Sequence, residues 1–314
     1  MKDKFGNQYF SRSLFWRAVF KNRWLYVMLI PGIVFYIIYK YGPMWGVTLA
    51  FKNYRPFIGY IKSDWVGLEN FKRFFSDPSF FRLFRNTLAI SLLNLIFNFP
   101  LPIIFALMLN EVRNKYFKRI VQTITYLPHF MSWVVIVGLS YVMFTSDGGG
   151  GIINEALKAI GLSPINFLSS EKAFRPMIIG QSMWRDTGWG TIVYLAALSG
   201  VDVEQYEAAR IDGANRLQQL WYITLPSIKL VIITLFILRL GNIMDTSFDQ
   251  IYNMMNELNR AVADVFDTYV YRFGITQGQL SYATAVGFFK SVIGLILVVG
   301  ADQLAKKLGE EGLF

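Results

Sequence analysis

Residues 204–226 read EQYEAARIDGANRLQQLWYITLP, and this polar stretch lies between two apolar segments that are each long enough to cross a bilayer. Its charged side chains are Glu204, Glu207, Arg210, Asp212 and Arg216. Charged side chains are costly in the hydrocarbon core of a membrane, so we expect these residues to lie in water. The sequence therefore predicts a short hydrophilic segment that projects from a membrane.

The residue types in this stretch predict a bend between two short helices. Val203 to Ile211 can form the first helix, and Ala208 and Ala209 give it a side without bulk that another protein could approach closely. Gly213 allows a sharp change of direction, because a residue without Cβ tolerates a positive φ.

The second short helix is expected from Asn215 to Tyr222, with Asn215 as its N-cap. Helical periodicity predicts that this helix buries Leu217, Leu220 and Trp221. Pro226 suits the first turn of the membrane helix that follows, because its missing N–H would have no partner there. A helix–turn–helix between two membrane spans is the expected result.

The segments Glu207-Ala208-Ala209, Gly213 and Ile223-Thr224-Leu225-Pro226 fall at the spacing E-A-A-x3-G-x9-I-x-L-P. This pattern resembles the coupling loop of the integral-membrane permease subunits of bacterial binding-protein-dependent ABC importers. The resemblance implies that the loop docks in a cleft of a cytosolic ATPase, with Glu207 as the principal polar contact. It also implies that Ala208 and Ala209 permit the close approach, and that Asp212 and Gly213 lie at the bend.

The same resemblance implies the rest of a transport system. It implies a second permease subunit, which is expected to form a heterodimer with this one. It also implies two ATPase subunits and an extracytoplasmic solute-binding protein. The chain has no Walker A sequence, so ATP and Mg are expected on the ATPase subunits, and this chain is expected to be a transport subunit without a cofactor, not an enzyme. Residues 65–81 (WVGLENFKRFFSDPSFF) and 288–295 (FFKSVIGL) are similar to sugar-type permeases of the maltose-permease-like superfamily, in its complex-glycan branch.

The composition excludes several other classes of protein. Of the 314 residues 54% are hydrophobic and the mean hydropathy is +0.37, which together with long apolar runs indicates a polytopic membrane protein. The absence of Cys excludes disulfides and thiolate sites, and a single His makes a histidine-based metal site unexpected. The net charge of +10 comes from basic residues that flank apolar spans, so membrane topology explains it better than nucleic-acid binding.

The apolar runs predict an all-α membrane protein with six transmembrane helices. The predicted spans are Trp24–Tyr39 with a kink at Pro31-Gly32, Asn86–Leu109 interrupted by Pro100 and Pro102, Ile120–Phe144, Met177–Ser199, Ser227–Ser247 and Ser281–Ala301. The expected organisation is a cytosolic basic tail (1–23), a first span with an external segment (24–85), a core (86–301) that contains the coupling loop (201–227), and a cytosolic tail (302–314). Phe10, Leu14, Phe15 and Trp16 of the first tail are expected on anionic lipid.

Topology follows from the loops. Residues 111–119 hold four basic residues, which places this short loop in the cytosol. Six spans then put both termini and the coupling loop on the cytosolic side of a bacterial plasma membrane. Segments 146–176 and 248–280 are expected outside.

Polar residues at membrane depth are the candidates for a solute pathway. In the fourth span, Arg185 and Asp186 lie about eight residues, or roughly 12 Å, below the predicted outer end, and Trp184 and Trp189 flank them. The other candidates are Arg239, Asn242, Asp245 and Lys290 in the fifth and sixth spans. Aromatic rings beside hydrogen-bonding groups suit a sugar, but the same charges could instead form ion pairs that hold the helices together.

The charge count bears on the cargo. Arg185, Arg239 and Lys290 face only two acids in the spans, Asp186 and Asp245, which leaves one positive charge over. The expected cargo is a neutral oligosaccharide, and this excess raises an oligosaccharide with carboxylates, such as uronate units, as the second hypothesis.

Three other classes of protein stay open at this point. The first is an importer subunit for amino acids, peptides or anions, and the second is a self-sufficient secondary transporter, although no inverted repeat is evident. The third is a membrane-embedded glycan-modifying enzyme, for which Asp264 and Asp267 are the nearest candidates, although a solvated helix face explains them better. His129, after Leu127-Pro128, could act in transport or bond a freed backbone carbonyl.

Overall fold

The computed structural model describes residues 20–146 and 150–307. The predicted lipid contacts of Phe10, Leu14, Phe15 and Trp16 lie outside the described residues, as do the last seven residues of the second tail. The α-helices are α1 (Arg23–Tyr36), α2 (Gly42–Met44), α3 (Gly59–Lys62), α4 (Glu69–Phe75), α5 (Phe80–Asn98), α6 (Pro100–Glu111), α7 (Lys115–Tyr126), α8 (Trp133–Phe144), α9 (Ile152–Ala159), α10 (Glu171–Ser199), α11 (Val203–Ile211), α12 (Arg216–Gln219), α13 (Leu225–Gly241), α14 (Phe248–Met254), α15 (Arg260–Ala263), α16 (Phe266–Val270) and α17 (Leu280–Lys307).

Shorter irregular elements join these helices. The 3₁₀ turns are Trp45–Phe51 and Leu127–Phe130, and the π turns are Ile37–Tyr41, Leu220–Thr224 and Tyr271–Thr276. The prediction of an all-α fold missed one antiparallel ribbon, β1 (Lys52–Asn53) with β2 (Asp64–Trp65), in which Lys52 pairs with Trp65. Two residues per strand give almost no periodic pattern, so the ribbon left no signal in the sequence.

Four helical stretches in the described residues are long and apolar enough to cross a membrane: Arg23–Phe51, Phe80–Glu111, Arg216–Gly241 and Leu280–Lys307. A fifth candidate is the pair Lys115–Phe130 and Trp133–Phe144, and α10 adds a helix of 29 residues that is more polar. Counting the bent pair once and α10 once gives the six spans that the sequence predicts.

The bounds of the spans differ from the prediction in several places. The first span continues in helical turns to Phe51 and runs through Pro31 without a break, and the second begins at Phe80 and is interrupted, as predicted, just before Pro100. The fifth ends at Gly241 instead of Ser247, because residues 242–247 turn away and Ser247 adopts a left-handed conformation (φ 50°). The sixth continues to Lys307, into the predicted tail.

The predicted third span, Ile120–Phe144, is not one straight helix. The chain bends by 102° between Lys115–Phe130 and Trp133–Phe144. Pro128 lacks the N–H that would continue the helix, and the Ser132 side chain accepts from the Val135 N–H at 3.4 Å, which starts the second half as a new helix. The bend places His129 beside the middle of α10.

Helix α10 is central, because it packs against α5, α6, α7 and α13. Gly188 permits the closest of these approaches, since a Cβ added there would collide with the backbone carbonyl of Thr125 at the end of α7. Small residues at such positions let helix backbones come together in a membrane. The position of α7, and with it the bend in the third span, therefore depends on this glycine.

We expect Gly188→Ala to destabilise the folded protein by about 1–3 kcal/mol, because the added methyl group has backbone and not a flexible side chain in its way. The measurement is the thermal unfolding of the purified transporter in detergent. Gly180→Ala is the matched control on the same helix, since nothing lies within 4 Å of its added Cβ. Equal melting temperatures for the two variants would contradict the packing argument.

An aromatic and polar network joins α16 and α17 to the segment that precedes α5. Tyr269 in α16 donates a hydrogen bond to Asp77 Oδ2 at 2.6 Å, and its hydroxyl lies 2.8 Å from that of Tyr282 in α17. The Ser79 N–H donates to Asp77 Oδ1 at 2.7 Å. Burial raises the pKa of Asp77, but the hydrogen bonds from Tyr269, Ser79 and Tyr282 outweigh it, so the pKa lies below its ordinary value.

This network predicts a loss of stability in acid. A carboxyl whose pKa is lowered on folding stabilises the folded state above its unfolded pKa, near 3.9, and the contribution is lost as the pH falls through the lower folded value. We expect the melting temperature to fall between about pH 5 and pH 3 and Asp77→Asn to reduce that fall. Asp64→Asn is the control, because Asp64 lies on the surface in a 3.9 Å pair with Arg55. An unchanged pH profile in Asp77→Asn would contradict this prediction.

Candidate functional site

The first helix of the predicted loop has the expected bounds, Val203–Ile211. Asp202 caps it, since its carboxylate accepts from the Glu204 N–H at 3.0 Å. Gly213 adopts φ +80°, and the Gly213 and Ala214 N–H groups donate to the carbonyls of Arg210 (3.1 Å) and Ala209 (2.8 Å). These bonds end the helix in the way that a left-handed glycine allows, and the predicted bend at Gly213 is confirmed.

The second helix is shorter than predicted, and its last part is a π turn that leads directly into α13. Asn215 caps it, as expected, in a capping box with Gln218: the Gln218 N–H donates to Asn215 Oδ1 at 2.9 Å. Pro226 lies in the first turn of α13, also as expected. The expected burial of Leu217 and Trp221 is wrong for this chain, because these side chains are 63% and 61% exposed.

An ion pair links the loop to α6, and a hydrogen bond joins two parts of the loop. Arg216 Nη1 lies 3.2 Å from Glu111 Oε2 at the end of α6, and the Tyr206 hydroxyl lies 3.0 Å from Thr224 Oγ1. Of the predicted coupling residues, Glu207, Ala208, Asp212 and Gly213 are exposed and Ala209 is half-buried. The loop is thus anchored at its base and presents the residues of the E-A-A-x3-G pattern outward.

The polar residues of α10 form a cluster with the bend in the third span. Arg185 Nη1 lies 3.4 Å from Asp186 Oδ1, and its guanidinium lies over the Trp133 ring at 4.5 Å. Because α10 begins at Glu171, Arg185 is about 14 residues, or roughly 21 Å, from the first residue of this helix, instead of the eight residues expected from the predicted start at Met177.

His129 completes this cluster. Its Nδ1 lies 3.1 Å from Asp186 Oδ1, and its ring stacks on Trp189 with centroids 4.6 Å apart and an interplanar angle of 3°. His129 Nδ1 contacts a carboxylate, so the interpretation that His129 bonds a freed backbone carbonyl does not hold for this atom. A lone His after a Leu-Pro break was the only signal for it in the sequence. Trp184 and Trp189 both keep exposed surface beside the cluster.

Lys290 lies at the centre of a second cluster. Its Nζ is 2.5 Å from both Asp245 Oδ1 and Asp267 Oδ1, and Asp267 also accepts from the N–H and hydroxyl of Thr246 at 3.3 and 3.2 Å. Lys290 is 15% exposed, whereas Asp245 is 62% exposed. Helix α17, α16 and the turn after α13 are therefore joined at one ammonium group.

The expectation that Asp264 and Asp267 form a solvated helix face is wrong. Asp264 is fully buried, 2.9 Å from Arg272 Nη2, and accepts from the Thr268 hydroxyl at 2.8 Å. Asp267 is the second acid on Lys290. Asp264 also lies 3.9 Å from Arg82 Nη2 in α5, so both carboxylates form ion pairs between different helices and are not arranged as an acid and base for catalysis.

The charge excess that the sequence suggested also disappears. Asp267 adds a third acid. The three cations, Arg185, Arg239 and Lys290, are therefore matched in number by three acids, Asp186, Asp245 and Asp267. Arg239 is exposed and has no acidic partner among the described residues, and Asn242 donates to the Leu238 carbonyl at 3.3 Å. Within residues 20–146 and 150–307, hydrogen bonds and ion pairs connect members of each cluster but do not join the Arg185 cluster to the Lys290 cluster.

Comparison with known proteins identifies the class of this architecture. Residues 98–310 match the family described as binding-protein-dependent transport system inner membrane component. Protein LplB of Bacillus subtilis (strain 168) is 54% identical over 305 residues, which cover 97% of this chain and 95% of LplB. The polygalacturonan/rhamnogalacturonan transport system permease protein YteP of the same organism is 53% identical over 294 residues, 94% of this chain and 91% of YteP.

Solved structures give the same result. A chain of a bacterial alginate ABC transporter, crystallised in complex with an alginate pentasaccharide-bound periplasmic protein, superimposes with a TM-score of 0.86 at 37% identity, covering 95% of this chain and 99% of that one. The predicted permease fold and the resemblance drawn from the E-A-A-x3-G pattern are confirmed. Since the family match covers residues 98–310 and the relatives are more than 50% identical over nearly the whole chain, this chain belongs to the inner-membrane components of binding-protein-dependent transport systems.

Proposed function

We propose that this chain is the permease subunit of an ATP-driven importer of acidic, uronate-containing oligosaccharides. An extracytoplasmic solute-binding protein delivers the sugar. The chain works with a second permease subunit, most simply as a heterodimer, and with two ATPase subunits that bind ATP and Mg. Both of its termini and the 201–227 loop are cytosolic, and the chain has no ATPase site of its own.

The observation that carries this proposal is the geometry of the 201–227 loop. A short capped helix and a left-handed glycine present Glu207, Ala208 and Gly213 outward, while the Arg216–Glu111 pair holds the base of the loop on α6. An outward-facing loop whose base contacts α6 suits a partner that transmits force into the membrane helices. In this role Glu207 bonds the ATPase, Ala208 and Ala209 admit its surface, and Asp212 and Gly213 set the angle of the bend.

Two relatives support an acidic cargo. YteP is described as a polygalacturonan/rhamnogalacturonan permease, and the superimposable structures come from a system for the acidic polysaccharide alginate. Both names denote polymers that consist of uronic acids or contain them. Lys290 and Arg185 are already in ion pairs, so a positive charge excess no longer argues for an acidic cargo. Within this chain the support for an acidic cargo is Arg239, an exposed cation without an acidic partner among the described residues.

The eight candidate pathway residues then fall into three groups, and Asp267 and His129 join two of these groups. Lys290, Asp245 and Asp267 hold the helices in register, and Arg185, Asp186 and His129 form a fixed polar wall at the middle of α10. Trp184 and Trp189 offer exposed ring surface on which the C–H face of a sugar can stack, and Arg239 with Asn242 offers donors to carboxylates and hydroxyls. Neutral sugars would use the same rings without needing Arg239.

The test is ATPase stimulation of the reconstituted importer with its binding protein, comparing uronate-containing and neutral oligosaccharides of equal length. We expect stimulation by the acidic sugars only. Arg239→Gln should weaken their apparent affinity about tenfold, because a hydrogen bond to a charged group is worth roughly 1.5–3 kcal/mol. Lys62→Gln, which removes an exposed cation of α3, is the control.

The outcomes separate the parts of the proposal. Equal stimulation by neutral sugars would contradict the acidic cargo while leaving oligosaccharide import standing. No stimulation by any oligosaccharide would contradict sugar import itself.

A further inference from the structure

An apolar groove runs along the whole of α6, which is the cytosolic half of the second span. One wall is α6 itself, with Ile104 and Met108 exposed, and the other is formed by α12 and the π turn, with Leu217 and Trp221 exposed. The groove encloses about 650 Å³ and its lining is almost entirely apolar. The exposed Leu217 and Trp221, which helical periodicity predicted to be buried, are thus the second wall of an open groove.

A polar cavity of about 710 Å³ adjoins the cytosolic end of this groove. The two share Glu111, Arg216 and Leu220, so the Glu111–Arg216 pair lies at their junction. Arg113 and Arg210 also line the cavity, and neither has an acidic partner among the described residues. Three arginines against one glutamate leave a surplus of two positive charges at the end of the apolar groove.

The dimensions and sidedness of this pair of cavities fit one leaflet of a bilayer. The groove follows α6 from Pro100 to Glu111, which is about 11 residues or roughly 17 Å. The hydrocarbon core is about 30 Å thick, so the groove has the depth of about one leaflet. Its charged end is beside the basic loop after Glu111, where anionic lipids of the cytosolic leaflet are attracted to arginine and lysine.

We propose that this composite cavity is a binding site for an anionic phospholipid of the cytosolic leaflet. An acyl chain occupies the groove between α6 and Trp221, and the phosphate lies on Arg113 and Arg210. The headgroup then contacts the face of α11 on which Tyr206 and Arg210 line the cavity. Anionic lipid thereby joins α6, α11 and α12, the elements through which the loop moves the membrane helices.

The experiment is native mass spectrometry of the assembled transporter after exchange into nanodiscs of phosphatidylcholine with phosphatidylglycerol. We expect the wild type to retain phosphatidylglycerol over phosphatidylcholine. Arg113→Gln should lower retention about fivefold, which corresponds to about 1 kcal/mol for one basic residue at a rate of 1.4 kcal/mol per tenfold. Lys115→Gln is the matched control, because it removes the same charge from the same loop but does not line the cavity.

A second pair of variants separates a lipid from a free phosphate. Ile104→Trp fills the groove and leaves every arginine in place, so it should also lower the retention of phosphatidylglycerol. The binding of a free anion in the polar cavity would not change in this variant. Ile96→Trp is the control, since Ile96 is exposed on α5 outside the groove. A phosphatidylglycerol with a photoreactive acyl chain should label residues 100–108.

The proposal is overturned if Arg113→Gln and Lys115→Gln retain phosphatidylglycerol equally. It is also overturned if Ile104→Trp has no effect, or if the photoreactive lipid labels the second permease subunit and not residues 100–108. In that last case the groove would be an interface between the two permeases.

Discussion

Gly213→Val is expected to reduce ATP-driven uptake at least about tenfold while the complex still assembles in the membrane. The glycine has φ +80°, and a side chain in the left-handed region costs about 1–2 kcal/mol, more for a β-branched residue. Nothing lies within 4 Å of an added Cβ, so the effect comes from the backbone conformation alone. Relaxing this strain must reorient α11, and with it Glu207, relative to the base that Arg216 holds on Glu111.

Two variants make this prediction specific. Gly213→Asn should retain most of the uptake, because asparagine enters the left-handed region more readily than other side chains do. Gly200→Ala is the control at the other end of the loop, where φ is −89° and the added Cβ is at an ordinary 3.5 Å from the Ala197 carbonyl. Full uptake by Gly213→Val, measured in proteoliposomes with binding protein and ATP, would contradict the coupling role of the bend.

Lys290→Met is expected to destabilise the folded chain by on the order of 3 kcal/mol, at the low end of the range for breaking a buried ion pair. The side chain of Lys290 is 15% exposed, and its removal leaves Asp245 and Asp267 as neighbouring carboxylates without their shared cation. The effect is at the low end because Asp245 is 62% exposed and keeps much of its hydration. The measurement is the melting temperature of the transporter in detergent.

A compensating variant distinguishes a structural lysine from one that contacts the cargo. Lys290→Met combined with Asp267→Asn removes one charge of each sign, so it should recover much of the lost stability. If that double variant is stable and still responds to acidic oligosaccharides, Lys290 acts by joining α17 to α16. A stable double variant that no longer responds to them would place Lys290 in the pathway instead.

The local geometry of the coupling loop could be predicted from the sequence, because it depends on contacts within a few residues. The bounds of α11, the left-handed Gly213 and the cap at Asn215 all follow from local residue types. The exposure of Leu217 and Trp221 could not be predicted, because periodicity shows that a helix has an apolar face but not whether protein or lipid covers it.

The tertiary contacts of the candidate pathway could not be predicted from the sequence for a related reason. The spacing of 23 residues between Asp267 and Lys290 carries no information about their contact, because it depends on how α16 packs on α17. The sequence showed that charges at membrane depth need partners, but it assigned Lys290 too few acids. The same limit applies to His129, whose partner Asp186 is brought to it by the bend of 102° in the third span.

That bend bears on how the protein is made. Helices α7 and α8 have 12 residues each, about 18 Å, so neither can cross a hydrocarbon core of about 30 Å by itself. The irregular backbone between them needs protein around it at membrane depth, and the 3₁₀ turn Leu127–Phe130 packs on α10, which ends at Ser199. We therefore expect the third span to reach its final depth only after the fourth has been synthesised, so that these two spans enter the bilayer together.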